Sequence, residues 1–251
     1  MADEVKTTPE TKGETQAKAQ ELSRAILAGK HEVPAEHVPL ITKPSRIESW
    51  RVFKIMSEFV DGFDLISRYD LAASFFGSAR TLETDPFYAL ARELSGRLAK
   101  EGFTVITGGA QGIMQAANQG AYEAGGTSVG LNIRLSDRQP MNPYLTEQLF
   151  FDHFFVRKVM LTFSSDVYIY FPGGFGTLDE FFEIITLIQT KKIKVIPIVL
   201  FGKAYWDPIV TLLRDHLVGT WHTIHEEDLG LFVVVDTIDE ACDYITKTAK
   251  V

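Results

Sequence analysis

From Ile47 onward the apolar positions fall into two alternating patterns. IESWRVFKIMSEFVDGFDLI has apolar residues at helical spacing and predicts an amphipathic helix. LAASFFG (71–77) is a short apolar run that predicts a buried strand. DPFYALARELSGRLAKEG (85–102) predicts a helix, with Asp85 as N-cap, Pro86 at its first position and Gly102 at its stop. FTVIT (103–107) predicts a strand, followed by GGAQG and a helix through Ala124. TSVGLNI (127–133) predicts another strand. The less regular RLSDRQPMNPYLTEQ leads into FFDHFFVRKVMLTFSS, which reads as largely helical. DVYIYF (166–171), VIPIVLF (195–201) and LFVVVD (231–236) predict strands. LDEFFEIITLIQT (178–190), KAYWDPIVTLLRDHL and TIDEACDYITKTAK predict helices. Short continuous apolar strands alternating with helices indicate a parallel sheet covered on both faces. The expected architecture is α/β: a Rossmann-like, doubly wound, mainly parallel sheet. Ligands then bind outside the carboxyl ends of the strands, where strand order reverses.

Residues 1–44 differ. They are rich in Lys, Glu, Thr, Ala and Pro, and HEVPAEHVPLITKP is broken by prolines. A flexible N-terminal arm is expected there, with a short helix over 16–29, and a single domain over 45–251. The chain has 251 residues, 45% of them hydrophobic, enough for one large α/β core. A net charge of -8 argues against a general nucleic-acid coat. The single cysteine, Cys242, excludes an intrachain disulfide framework. No run reads as a membrane span or a secretory signal. Together these predict a soluble, cytoplasmic protein with no nucleic-acid or membrane partner.

Three glycine-bearing turns follow predicted strands: FFGSAR (75–80), TGGAQGIM (107–114) and FPGGFGTLDE (171–180). Glycine lets a ligand approach backbone amides closely, and a helix N-terminus adds free N–H groups. Convergence of the three on one sheet edge predicts a phosphate site. For Gly108, Gly109 and Gly112, tight strand-to-helix packing is the alternative. GGAQG lacks the dinucleotide spacing, and no turn carries the Gly-Lys-Ser/Thr of a P-loop. A mononucleotide or sugar phosphate therefore fits better than NAD or ATP hydrolysis. Thr177 and Glu180 have capping-box spacing, which accounts for both without any function. A first-turn carboxylate held ionised by the helix dipole beside a phosphate cradle would also serve as a base or stabilise a cation. Glu183, one turn on, reads as a pocket residue or a solvated glutamate. Arg157 and Lys158 read as the polar face of a helix or as cations at the pocket mouth. His153, His222 and His225 have no cluster at metal-ligand spacing, and no stretch identifies a pyridoxal phosphate lysine.

TGGAQGIMQAAN, FVRKVMLTFSSD and PGGFGTLDE resemble the Lonely Guy family, whose members often carry the label "possible lysine decarboxylase". The similarity covers about residues 70–215. The long N-terminal extension and EQLFFDHFFVRK resemble the longer bacterial subgroup rather than the short plant-like form. The resemblance implies hydrolysis of the N-glycosidic bond of nucleoside 5′-monophosphates, AMP or N6-substituted cytokinin nucleotides, to free base and ribose 5-phosphate. It implies Arg157 and Glu180 as the catalytic pair, with no cofactor and no metal. Gly173, Gly174, Gly176 and Thr177, with Pro172 and Phe175, would form the phosphate turn. Gly108, Gly109, Gly112 and Met114 would form a second nucleotide loop, joined by Gly77, Ser78, Lys158 and Glu183. A homo-oligomer, a dimer or an assembly of dimers, is implied too. The alternative is a carrier that binds a nucleotide or a phosphorylated, molybdenum-cofactor-type ligand without turnover.

Overall fold

A computed structural model describes residues 49–134 and 141–249, all within one compact unit, Glu48–Val251. The expected N-terminal arm and its helix over 16–29 lie outside the described residues. The first described element is α1 (Ser49–Ile66), which precedes the first described strand. Then follow β1 (Ala72–Phe76), α2 (Pro86–Lys100), β2 (Thr104–Thr107), α3 (Ile113–Glu123), β3 (Ser128–Ile133), β4 (Glu147–Phe151) and α4 (Phe154–Phe163). The second half comprises β5 (Val167–Tyr170), α5 (Phe175–Gln189), β6 (Ile198–Phe201), α6 (Lys203–Leu212), β7 (Val233–Val235) and α7 (Ile238–Thr248). A π-helical stretch, Leu213–Thr220, prolongs α6, and a 3₁₀ turn, Glu226–Leu231, precedes β7.

The described strands form one seven-stranded parallel sheet in the order β4-β3-β2-β1-β5-β6-β7. Strand order reverses between β1 and β5. There Phe75 pairs with Ile169 and Phe76 with Tyr170. Just beyond the strands, Phe171 N donates to Phe76 O at 2.9 Å and Ser78 N to Pro172 O at 3.0 Å, so two of the glycine turns are joined at the crevice.

β1, β2, β3, β5 and β6 are buried along their whole length, which is why they read as unbroken apolar runs. One face packs Phe75, Val105, Ile169 and Phe201 under α2, α3 and α7; the other packs Phe76, Tyr168, Tyr170 and Leu200 under α1, α4, α5 and α6. Each fully buried Phe or Leu contributes about 1.5–3 kcal/mol. At α2 the local chemistry is as the residues predict. Asp85 accepts Phe87 N at 2.8 Å, and Gly102 adopts φ 90° beyond the last turn.

Two boundaries differ from the sequence reading. The start of the stretch expected to be helical is strand β4, and the helix begins only at Phe154. β4 is an edge strand with Glu147 and Gln148 partly or fully exposed, so its five residues show neither clean alternation nor a long buried run. Helix α5 starts at Phe175 with Gly174 as N-cap, and no side chain caps it. Thr177 is therefore its third residue and Glu180 lies in its second turn, which removes the expected capping box. No described helix is long and apolar enough to cross a membrane.

Candidate active site

The turns after β1, β2 and β5 meet above the crevice and line a cavity of about 740 Å³. Ser78 and Arg80 come from the first turn, Gly108 and Ala110 from the second, and Gly173, Gly174 and Phe175 from the third. Ile133 at the end of β3 and Phe154 on α4 add apolar wall. The third turn is tied down by Tyr205, whose hydroxyl donates to Gly173 O at 2.7 Å. The first bond inside α5 runs from Leu178 N to Gly174 O at 3.1 Å. The amides of Phe175, Gly176 and Thr177 precede it and have no acceptor within the helix, and all three residues line the cavity. This is the geometry of an anion site, with the helix dipole adding partial positive charge.

Gly174 and Gly176 have no strained backbone, Gly174 lying at φ -96°, and a Cβ on either would meet nothing within 4 Å. Nothing in the fold demands glycine at these two places.

Opposite the cradle, α4 delivers Arg157 and α5 delivers Glu180. Arg157 Nη2 lies 3.9 Å from Glu180 Oε1, and the side chains are only 13% and 17% exposed. The guanidinium packs 5.7 Å from the Phe154 ring centre and against Gly108, where a Cβ would stand 2.9 Å from Nη1. Its Nε is buried and has no hydrogen-bond partner among the described residues. Burial pushes the Glu180 carboxyl up to about 7, against the lowering by Arg157 and Lys158. Burial thus opposes the ionisation expected of a first-turn carboxylate, and Glu180 lies in the second turn of α5 rather than the first. Burial also pulls the Arg157 guanidinium down, with Glu180 opposing. The pair combines a titratable carboxyl near neutrality with a buried cation that still holds an unused donor. Such a pair serves proton transfer and charge stabilisation.

Of the residues expected from sequence, Gly77, Ser78, Gly108, Met114, Arg157, Gly173, Gly174, Phe175, Gly176, Thr177 and Glu180 line the cavity. Gly109, Gly112, Lys158, Pro172 and Glu183 are not among its lining residues. Lys158 Nζ turns instead to Asp179 at 2.6 Å and Glu183 at 3.3 Å, a surface ion cluster. Arg80 and Phe154 line the cavity without having been singled out. Arg80 sits inside the quoted FFGSAR turn, which was the available signal. Among the described residues no group of His, Cys, Asp or Glu is placed to hold a metal ion, and His153 pairs with Glu58 at 2.9 Å.

A family model described as "Possible lysine decarboxylase" matches residues 114–245. The cytokinin riboside 5′-monophosphate phosphoribohydrolase LOG5 of Arabidopsis thaliana is 33% identical over 127 residues, 49% of this chain and 54% of that protein. The cytokinin riboside 5′-monophosphate phosphoribohydrolase of Mycobacterium tuberculosis is 32% identical over 96 residues, 38% of this chain and 51% of that protein. The chain thus spans about half the length of these curated relatives. Among solved structures, TM1055, a structural genomics target, aligns with a TM-score of 0.55 at 26% identity, over 70% of this chain and 99% of that one. A molybdenum cofactor carrier protein from Chlamydomonas reinhardtii aligns with a TM-score of 0.53 at 24% identity, over 71% and 97%, which is a likeness of fold alone. The family description does not fit the cavity chemically. Pyridoxal phosphate would require a lysine amine, and the described lining residues include arginines but no lysine. The match over more than half of the chain includes Arg157, Glu180 and the PGGFGT turn, and the chain belongs to the Lonely Guy family, described as possible lysine decarboxylases.

Proposed function

We propose that this chain hydrolyses the N-glycosidic bond of a nucleoside 5′-monophosphate, AMP or an N6-substituted AMP, giving free base and ribose 5-phosphate. The observation that carries the proposal is the buried Arg157–Glu180 pair, set 3.9 Å apart across from an unoccupied-by-side-chain helix N-terminus. The names of the relatives support the same chemistry. In this reading the amides of Phe175, Gly176 and Thr177 hold the 5′-phosphate, with Arg80 as a second cation at the rim. Phosphate binding remote from the reacting bond orients the ribose. Cleavage of the ribosyl C–N bond builds positive charge on the sugar, as in glycoside hydrolysis. Ionised Glu180 stabilises that charge and takes the proton of the water that adds to the anomeric carbon. Arg157 donates hydrogen bonds to the departing base and offsets its negative charge, and the proton that Glu180 took from water then passes to that base, directly or through solvent, so that the free base leaves neutral and Glu180 is ionised again. The guanidinium is a donor here rather than an acid.

The reading includes a homo-oligomer. Phe53, Met56, Val60 and Phe63 form an exposed apolar row on α1, which supports burial against another chain. Sedimentation would measure it; a monomer at micromolar concentration would count against it. The direct test of the function is chromatography of AMP and isopentenyl-AMP after incubation with the purified protein. Free base and ribose 5-phosphate are expected. Tight nucleotide binding without product would point to a carrier instead.

A further inference from the structure

We propose that Glu58, on α1, is a positioning residue for Arg157 and acts through His153 and the first turn of α4. The inference rests on the hydrolase reading above and adds a residue outside the family-matched segment 114–245.

Glu58 is buried, its side chain only 10% exposed. Oε1 accepts from His153 Nδ1 at 2.9 Å and from the Asp152 amide at 3.3 Å; Oε2 accepts the His153 amide at 3.3 Å. The imidazole must carry its proton on Nδ1 to make that bond. These donors offset the cost of burying the carboxylate, which has no Lys or Arg partner among the described residues. They also place a negative charge at the N-terminus of α4. His153 is the N-cap of that helix, yet its own side chain makes no cap bond. The carboxylate from α1 binds the two amides just before the helix, Asp152 N and His153 N, and so fixes where the helix starts without capping its first-turn amides.

The next turn carries the reactive cation. Arg157 N donates to His153 O at 3.2 Å, so residue 157 sits directly one turn above the clamped residue. Among the described residues the guanidinium is held by packing, on the Phe154 ring in the first turn of the same helix and against Gly108, rather than by a hydrogen bond at Nε. Its Nε lacks a partner and the Glu180 oxygen is 3.9 Å away, too far for a hydrogen bond. Its place therefore follows the place of the helix. α1 holds that helix at three points. Lys54, one turn before Glu58, pairs with Asp152; Glu58 binds His153; and Gly62 lies so close to Met160 that a Cβ would overlap its sulfur.

The experiment uses the full chain as wild type, Glu58→Ala, Glu58→Gln, Arg157→Ala and the Glu58→Ala/Arg157→Ala double variant. AMP hydrolysis and hydrogen exchange at the amides of Asp152, His153 and Arg157 are measured on each. Glu58→Ala is expected to lose about 10- to 100-fold in kcat, the scale of a displaced catalytic group, while the AMP KM stays within about twofold because the cradle on α5 does not move. Glu58→Gln keeps the volume and one acceptor and should recover part of the rate. It also carries the test if Glu58→Ala fails to fold. The double variant should be no slower than Arg157→Ala, since both changes act on one group. Exchange at Asp152, His153 and Arg157 should quicken in Glu58→Ala. A wild-type kcat in Glu58→Ala, losses that multiply in the double variant, or unchanged exchange would each overturn the proposal. A wild type that releases no base defeats the hydrolase reading alone; exchange then decides between a clamped and an unclamped helix.

Discussion

Two glycine turns that look alike in sequence serve different ends. The turn after β2, GGAQG, needs its glycines for the fold. Gly109 and Gly112 both sit at φ 68°, where a Cβ would collide with the Asn132 side chain and with the Ser78 carbonyl. Thr107 and Asn118 brace this turn further: Gly109 N donates to Thr107 Oγ1 at 2.8 Å and Thr107 Oγ1 to Asn118 Oδ1 at 2.7 Å. The turn after β5 has Gly174 and Gly176 in ordinary backbone facing open space. The first turn is glycine-rich because the protein packs there. In the second, packing accounts for Gly173, whose Cβ would overlap Thr177, but not for Gly174 and Gly176. The difference separates a turn whose glycines the packing requires from one whose free glycines fit the ligand cradle we propose.

That contrast can be attacked directly. The largest effect belongs to the cradle side, where Glu180→Ala should cut AMP hydrolysis by about 10³-fold, near 4 kcal/mol of barrier, with the fold retained. Product chromatography reads it, and undiminished turnover would take Glu180 out of the chemistry. Next comes the packed turn. Gly112→Ala should destabilise by about 3 kcal/mol in urea unfolding, from left-handed backbone strain plus the overlap with Ser78. A variant as stable as wild type would erase the distinction. The pH dependence of stability comes third. The Glu180 carboxyl is raised from 4.5 to about 7, so the native state binds the proton more tightly than the unfolded chain between those values. Stability contributed by the neutral form is complete below about 4.5 and is lost as pH rises through about 7. Glu180→Gln should therefore be more stable than wild type at pH 8 by roughly 3 kcal/mol, and no more stable at pH 4. Thermal melts at the two pH values check the sign. Activity should move the other way, falling as pH drops below about 7, because the base must be ionised. The smallest effect is the most diagnostic. Gly174→Ala should unfold within about 0.5 kcal/mol of wild type yet bind AMP about tenfold more weakly. Calorimetric titration showing equal affinity would mean that no ligand approaches Gly174.

The sheet was legible because strands covered on both faces are forced to be apolar throughout. LAASFFG, FTVIT and DVYIYF could hardly be anything else. β4 was hidden because an edge strand escapes that pressure, and its Phe150–Phe151 pair ran on into the aromatics of α4. The start of α5 was obscured by a coincidence of spacing. Thr177 and Glu180 mimic a cap, whereas the true cap, Gly174, has no side chain to announce it. In the site, spacing alone left Arg157 between a helix's polar face and a pocket cation and Glu180 between a cap and a base, and only the family resemblance singled out the pair. Neighbours on a helix point about 100° apart, and so Arg157 enters the cavity while Lys158 faces Asp179 and Glu183 outside it. Glu58 carried no signal at all. It is one glutamate on an amphipathic helix, and its partner lies 95 residues further along the chain.

That sequence distance also bears on how the chain is made. The inner face of α1, with Leu65 and Ile66, packs in the cluster that holds Phe151, Val156 and Met160. During synthesis α1 leaves the ribosome long before those partners exist. At ordinary elongation rates the gap is roughly 5 to 20 s. For that interval an amphipathic helix carries both an unburied inner face and the exposed row of Phe53, Met56, Val60 and Phe63. The nascent chain is then at its stickiest, and holding by a chaperone would be most useful between the emergence of residue 66 and that of residue 163.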